Sequence, residues 1–361
     1  MRNIGIYYLT DGKRLMSKQK LISLYFYIAN YYLFCETTIT FLPSLHGSAE
    51  KLEWSMCHSS VGNLALNGAK VYVKSTGTAG KGISVDGTLD ATASTLRIIT
   101  IGKQYVYGSL DASPKGIKVE GNLTINSGDI QMITSGGEGS EGIESKAVMT
   151  INGGTVGVCS YDDCLNAKTA IDINGGSIYC YSSGNDGIDA NGKITITGGT
   201  VVSSGTTSPE EGIDCDQNTF TITGGTVLGI GGATSTPTGS TCTQPSVIYS
   251  ASGSAGTWIH IATTDDTQVM SYAIPRTYSQ MTLLFSSASL SKGSSFCIST
   301  GGSVSDGTTF YGLNTGGTVV DNTQAATFST SSMVTMVDSS AGDPGGQPDG
   351  QPGGQPGDGW H

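Results

Sequence analysis

From Asn122 onward the chain keeps returning to one short phrase, in which apolar and polar positions alternate and then meet a glycine turn. The copies are NLTINSGDI (122–130), VMTINGGTV (148–156), AIDINGGSI (170–178), KITITGGTV (193–201) and TFTITGGTV (219–227), with an earlier relative, NLALNGAKV, at 63–71. The last glycines of the later turns stand at 128, 154, 176, 199 and 225, so the period is 26, 22, 23 and 26 residues. A strand repeat of this length without helical periodicity is the signature of a β-solenoid, where each coil buries its apolar face only by stacking on the next.

The alternation predicts which way side chains point. In KITITGGTV, Ile194 and Ile196 share one face and Thr195 and Thr197 the other. In-register stacking makes an inward column of Ile125, Ile151, Ile173, Ile196 and Ile222, and a second of Ile130, Val156, Ile178, Val201 and Val227. A third strand per coil is centred on Ile117, Ile143, Leu165, Ile188 and Ile213. At the corner, glycine suits a bend that needs positive φ or close backbone approach. The preceding Asn126, Asn152 and Asn174, followed by Thr197 and Thr223, can stack into a ladder of side-chain hydrogen bonds. No hairpin signal competes, so the expected fold is all-β: a right-handed parallel β-helix, a solenoid, with a β-rich C-terminal region.

Composition agrees with thin stacked layers: 361 residues include 53 glycines, only 37% are hydrophobic and 13% charged. The net charge of −11 argues against nucleic acid as a partner, because phosphate backbones are held by Lys and Arg. Eight cysteines without a C-x-x-C pair, and four histidines, make a zinc site improbable. Cys180 falls on an inward strand position and reads as a buried thiol, and one or two disulfides among the other cysteines stay open.

Outside the repeat, the basic run KRLMSKQK followed by LISLYFYIANYYLFC (21–35) has the order of an export signal. Residues 1–45 are therefore expected to be an export leader, and 62–337 the β-helix domain. Residues 338–361, ending in DPGGQPDGQPGGQPGDGWH, form a Gly/Pro/Gln-rich tail unable to bury a core. The apolar stretch is shorter than a typical membrane span, so the mature chain is expected to be secreted or held at the cell surface, without a span, as a monomer.

Around the third apolar column the polar residues also recur. Glu141 and Glu144 flank Ile143; Asp162, Asp163 and Asn166 flank Leu165; Asn185, Asp186 and Asp189 flank Ile188; Glu210, Glu211 and Asp214 flank Ile213. Carboxylates at the spacing of neighbouring strands repel unless something neutralises them. Calcium takes six to eight oxygen ligands in flexible geometry, and this hard, all-oxygen set suits it better than zinc or copper. The bland alternative is a solvated acidic edge. In the first coils, GKGISVDG (80–87) and PKGIKVEG (114–121), Lys81, Lys115 and Lys118 stand where later coils carry acids.

The acidic clusters, the I-x-I-x-G-G-T-V turns and the segment FYGLNTGGTVVDNTQAATFSTSSMVTMV (310–337) together resemble the clostridial carbohydrate-binding β-helix proteins. Those bind cellulose and acidic pectic sugars and are similar in fold to family-nine pectate lyases. The resemblance spans roughly residues 62–337. It implies a secreted calcium-bearing β-helix that binds plant-type polysaccharide, above all polygalacturonate. It also implies that Asp162, Asp163 and Asn166, then Asn185, Asp186 and Asp189, then Glu210, Glu211 and Asp214 hold calcium, with Glu141 and Glu144 a weaker match. The amides at 166 and 185, and the Glu210–Glu211 pair in place of two aspartates, depart from the pattern.

A lyase would need a basic side chain near the ion to take the proton beside a uronate carboxyl group. Lys146, Lys168 and Lys193 lie at coil boundaries, no lysine occurs from Ile194 to Ser291, and Arg276 is the one arginine there. Binding without cleavage therefore stands ahead of catalysis, and a non-catalytic adhesin or scaffold remains a further reading. Tyr161, Tyr179 and Tyr181 are the aromatic candidates for stacking on sugar rings, with Lys168 and Lys193 as basic companions; Trp258 belongs to the C-terminal region.

Overall fold

The computed structural model describes residues 62–338, and before them only the backbone of four short strands, Phe26–Ile28, Tyr31–Leu33, Thr37–Phe41 and His58–Ser60. The expected leader, 1–45, falls largely outside the described residues, and the tail falls outside almost entirely. Among the described residues there is no helix. The chain winds through three parallel sheets, each coil giving one strand to each.

The first sheet stacks His58–Ser60, Lys81–Val85, Lys115–Val119, Ile143–Ser145, Leu165–Ala167, Ile188–Ala190 and Ile213–Asp214. The second stacks Leu64–Asn67, Leu89–Thr92, Leu123–Ile125, Val148–Ile151, Ala170–Ile173, Lys193–Ile196 and Phe220–Ile222. The third runs from Lys70–Ser75 through Ser94–Thr100, Gly128–Thr134, Thr155–Ser160, Ser177–Ser182 and Thr200–Ser204 to Thr226–Gly231.

The solenoid expected from the repeat is the one observed, and its registers follow the apolar columns. Ile117, Ile143, Leu165, Ile188 and Ile213 are consecutive partners. So are Ile125, Ile151, Ile173, Ile196 and Ile222, and likewise Ile130, Val156, Ile178, Val201 and Val227. All of these side chains are buried in one continuous core. Cys180 is buried there too, and the six cysteines among the described residues are all free thiols.

The corner ladder forms as side-chain hydrogen bonds. Asn126 Nδ2 donates to Thr92 Oγ1 at 3.1 Å, Asn152 to Asn126 at 2.8 Å, Asn174 to Asn152 at 2.9 Å, and Thr197 Oγ1 to Asn174 at 3.0 Å. A coil that the glycine phrase does not mark lies between the first two copies. Its strands Leu89–Thr92 and Ser94–Thr100 pair with their neighbours in full register, but Ala93, at φ 49°, makes the left-handed bend that glycine makes elsewhere. Searching for the turn therefore passes over it.

At the C-terminal end the third sheet changes direction. Tyr278–Ser286 adds antiparallel to Thr226–Gly231, Ser246–Gly253 adds beyond it, and Val334–Asp338 closes the edge. A separate six-stranded antiparallel sheet runs in the order Thr308–Phe310, Leu313–Thr315, Gln268–Ala273, Trp258–Thr263, Ser295–Ser305 and Thr318–Ser329. It lies against the outer face of the third sheet, where Val202, Leu228 and Ile230 share a second core with Ile259, Ile261, Tyr272 and Phe285.

Candidate functional site

Each strand of the first sheet turns its central apolar residue inward, which aims the residue one after it to the other face, while the residue two before it stands at the corner where the strand begins. Stacking then makes columns. Two positions ahead of the centre stand Lys81, Lys115, Glu141, Asp163, Asp186 and Glu211; one position after it stand Ser84, Lys118, Glu144, Asn166, Asp189 and Asp214. Asp162, Asn185 and Glu210 form a shorter column one residue earlier. All eleven oxygen-bearing residues singled out from the sequence are thus gathered on one face.

The columns divide at Asp162. Toward the N-terminus the acids are paired with lysines: Lys115 Nζ contacts Glu141 and lies 3.6 Å from Glu144 Oε1, which Lys146 also meets. Toward the C-terminus, among the described residues, no lysine or arginine forms an ion pair with Asp163, Asp186, Asp189, Glu210, Glu211 or Asp214. Neutral donors hold them instead. Asn185 Nδ2 donates to Asp162 at 2.5 Å, the Asp186 amide to Asp163 at 3.2 Å, and the Glu211 amide to Asp186. Asn166 Nδ2 bridges two carboxylates, at 3.0 Å from Asp163 and 2.7 Å from Asp189. Ser235 Oγ donates to Asp214 at 3.0 Å.

Two ionised carboxylates one strand apart repel by about 3 kcal/mol at an effective dielectric near 20, and burial raises the cost further. The acidities respond. Burial and then the Asp189 charge push Asp163 well above the ordinary carboxylate range. Asp186 is pushed up to about 8 by burial, against the Glu211 amide that favours its ionised form. Asp189 and Glu211 rise to about 7, each through burial first and the Asp214 charge second. Glu211 Oε2 is buried without a hydrogen-bond partner.

This donor set fits the calcium that the resemblance implies: hard oxygens from successive coils, acids that among the described residues pair with no lysine or arginine, and one buried oxygen, Glu211 Oε2, with no hydrogen-bond partner. Among the described residues no three acidic, histidine or cysteine side chains converge as a ready cage. The Asn166 amide nitrogen stands between the two carboxylates that would otherwise approach each other, and the same side chain carries an oxygen able to ligate a cation.

The other residues singled out from the sequence are distributed around this face. Tyr161 is exposed at the corner leading into Asp162, with its ring across Gly184 of the next coil, where an added Cβ would lie 2.8 Å from the ring. Tyr179 and Tyr181 do face outward from the third sheet, but the C-terminal region meets both. Tyr179 stacks on Tyr311 with ring centroids 3.9 Å apart and 7° between planes, and the Arg276 guanidinium lies 4.3 Å from the Tyr181 ring centre. Lys168 is exposed at the opposite corner, between the first and second sheets, and Lys193 is exposed at the start of the second-sheet strand Lys193–Ile196, both on the side of the acids away from Tyr161. Arg276 reaches Ser182 across 94 residues of sequence, and no local signal marks that contact.

Comparison with known proteins adds one match. No curated protein and no solved structure matches the chain. Residues 58–187 match a family model described as carbohydrate-binding domain-containing protein, a span that takes in the acidic residues from Glu141 to Asp186 and stops before Asp189. Over that stretch, about a third of the chain, the protein is similar to the family that its motifs resemble, and the observed solenoid agrees with that family's fold.

Proposed function

We propose that this chain is a calcium-dependent polysaccharide-binding protein, acting outside the cell, that holds acidic glycans of the polygalacturonate type without cleaving them. The observation that carries the reading is the run of acids from Asp163 to Asp214, stacked across coils and, among the described residues, in no ion pair with a lysine or arginine, within and just beyond a segment similar to a carbohydrate-binding family. Asp163, Asn166, Asp186, Asp189, Glu211 and Asp214 would hold the ion. When bound, calcium supplies positive charge that a uronate carboxylate can share.

The protein's own residues do the rest. The parallel registers keep the carboxylates on a fixed axial repeat, and the Asn166 and Asn185 amides space them. Tyr161 offers an exposed aromatic face beside the columns for an apolar sugar surface. Lys168 and Lys193, across the face, offer charge to carboxylates further along a chain of sugars. Among the described residues no lysine or arginine pairs with these acids where a proton would have to be taken, which favours binding over elimination.

The test is retention of the full chain on immobilised polygalacturonate and on cellulose, with calcium and with chelator. Calcium-dependent retention on polygalacturonate is expected. Absence of retention on either glycan would refute the reading, and absorbance from unsaturated uronate products would replace binding with lyase activity.

A further inference from the structure

The acid columns do not begin without a cation; they begin with one that the chain carries itself. Lys115 belongs to the same column as Glu141, Asp163, Asp186 and Glu211, and it is 8% exposed. Its ammonium contacts Glu141 of the next coil, lies 3.6 Å from Glu144 Oε1, and is close enough to Asp162 to feel its charge. Lys146 closes the other side of Glu144, which is 1% exposed. Glu144 Oε2 is nevertheless buried without a hydrogen-bond partner, so the lysines leave one oxygen of this nest unsatisfied. One coil further the same geometry recurs with an acid in place of the lysine, and pairing with protein cations stops.

We propose that the Lys115 ammonium is a tethered counter-ion occupying the place between coils that a divalent cation takes further along the columns, so that the end of the lysine run sets where the first bound ion can sit. This rests on the reading of the later coils as a calcium site. A lysine at this column position satisfies an acid of the following coil and closes that interval to an ion. An acid there opens the interval. Glu141 and Glu144, singled out from the sequence as metal ligands, are on this account ligands of lysine.

The experiment compares calcium binding by the full-length protein and its variants, using equilibrium dialysis with calcium alone and thermal melts. Lys115→Met is expected to bind one more calcium ion than the parent and to show a larger rise in Tm on calcium addition. K115M combined with E144Q is expected to lose that additional ion. Asp186→Lys, which places an ammonium lower in the same column, is expected to bind one ion fewer, and it keeps the idea testable should K115M fail to fold. A folded K115M with the parent's stoichiometry, or a D186K protein that loses no ion, overturns the proposal while leaving the calcium reading standing. A parent that binds no calcium overturns the calcium reading and the proposal with it.

Discussion

Single residues on this molecule separate into those that hold the coil together and those left free to meet a ligand, and identical residue types fall on both sides. Tyr161 and Tyr179 are the clearest pair. Tyr161 is exposed at the edge of the acid columns, whereas Tyr179 is stacked on Tyr311 and its hydroxyl is held protonated by burial and by neighbouring thiols. Tyr161→Ala is therefore expected to weaken polygalacturonate retention severalfold with little change in Tm. Tyr179→Ala is expected to lower stability by about 1–3 kcal/mol through its lost aromatic contact and buried area, with glycan retention kept at temperatures where the variant is folded. Chemical denaturation and affinity electrophoresis of both variants separate the two effects.

At the scale of the element, the repeated corner and the acid column each make their own demand. The second glycine of the later corners has positive φ, 85° at Gly199, and a Cβ added there would lie 2.6 Å from the Gly176 carbonyl oxygen of the preceding coil. Gly199→Ala thus combines left-handed strain with a backbone clash and is expected to cost about 2–4 kcal/mol in urea unfolding. Ala93 tolerates the bend because it sits one position earlier, before Ser94 rather than in the tightly stacked place that Ser94 shares with Gly128.

The acid column gives a pH dependence whose sign follows from its raised acidities. Unfolded carboxylates titrate near 4, while Asp189 and Glu211 in the fold titrate at about 7 and Asp186 at about 8. Between these limits the folded protein binds more protons than the unfolded chain, so metal-free stability is full below about pH 4 and falls as pH rises toward 8. The loss should be on the order of a few kcal/mol for each of these carboxyl groups taken singly, and because they repel one another the three do not simply add. Melts in chelator at pH 5 and pH 8 are expected to give the lower Tm at pH 8. Calcium should restore it there and do little at pH 5, where protons already fill the sites.

For the whole molecule, the C-terminal sheet is a cover as much as an appendage. It buries Val202, Leu228 and Ile230 on the outer face of the third sheet. The segment before it closes the end of the solenoid, with the Thr238 amide on the Phe220 carbonyl at 2.7 Å and Gln244 Nε2 on the Gly225 carbonyl at 3.0 Å. A chain stopped after residue 243 keeps every coil but exposes that apolar face. It is expected to bind hydrophobic dye and to aggregate where the full chain stays dispersed, which light scattering would show.

The coils, their inward columns and the corner ladder were readable along the chain because each depends on a short period and on which of two faces a side chain takes. Stacking at a fixed register then converts a local alternation into a core, and the same rule brought Glu141 through Asp214 onto one face. Charge balance along that face was not readable in the same way. Whether an acid is answered by Lys115, by the Asn166 amide or by nothing depends on how far a side chain reaches into the neighbouring coil. The covering of Tyr179 by Tyr311 and the reach of Arg276 to Tyr181 lay further out of view, since contacts between segments about a hundred residues apart leave no periodic trace. Local pattern specified the solenoid because its stabilising contacts repeat with every turn; the free and the covered parts of its surface were decided by a C-terminal sheet that packs once, without repetition.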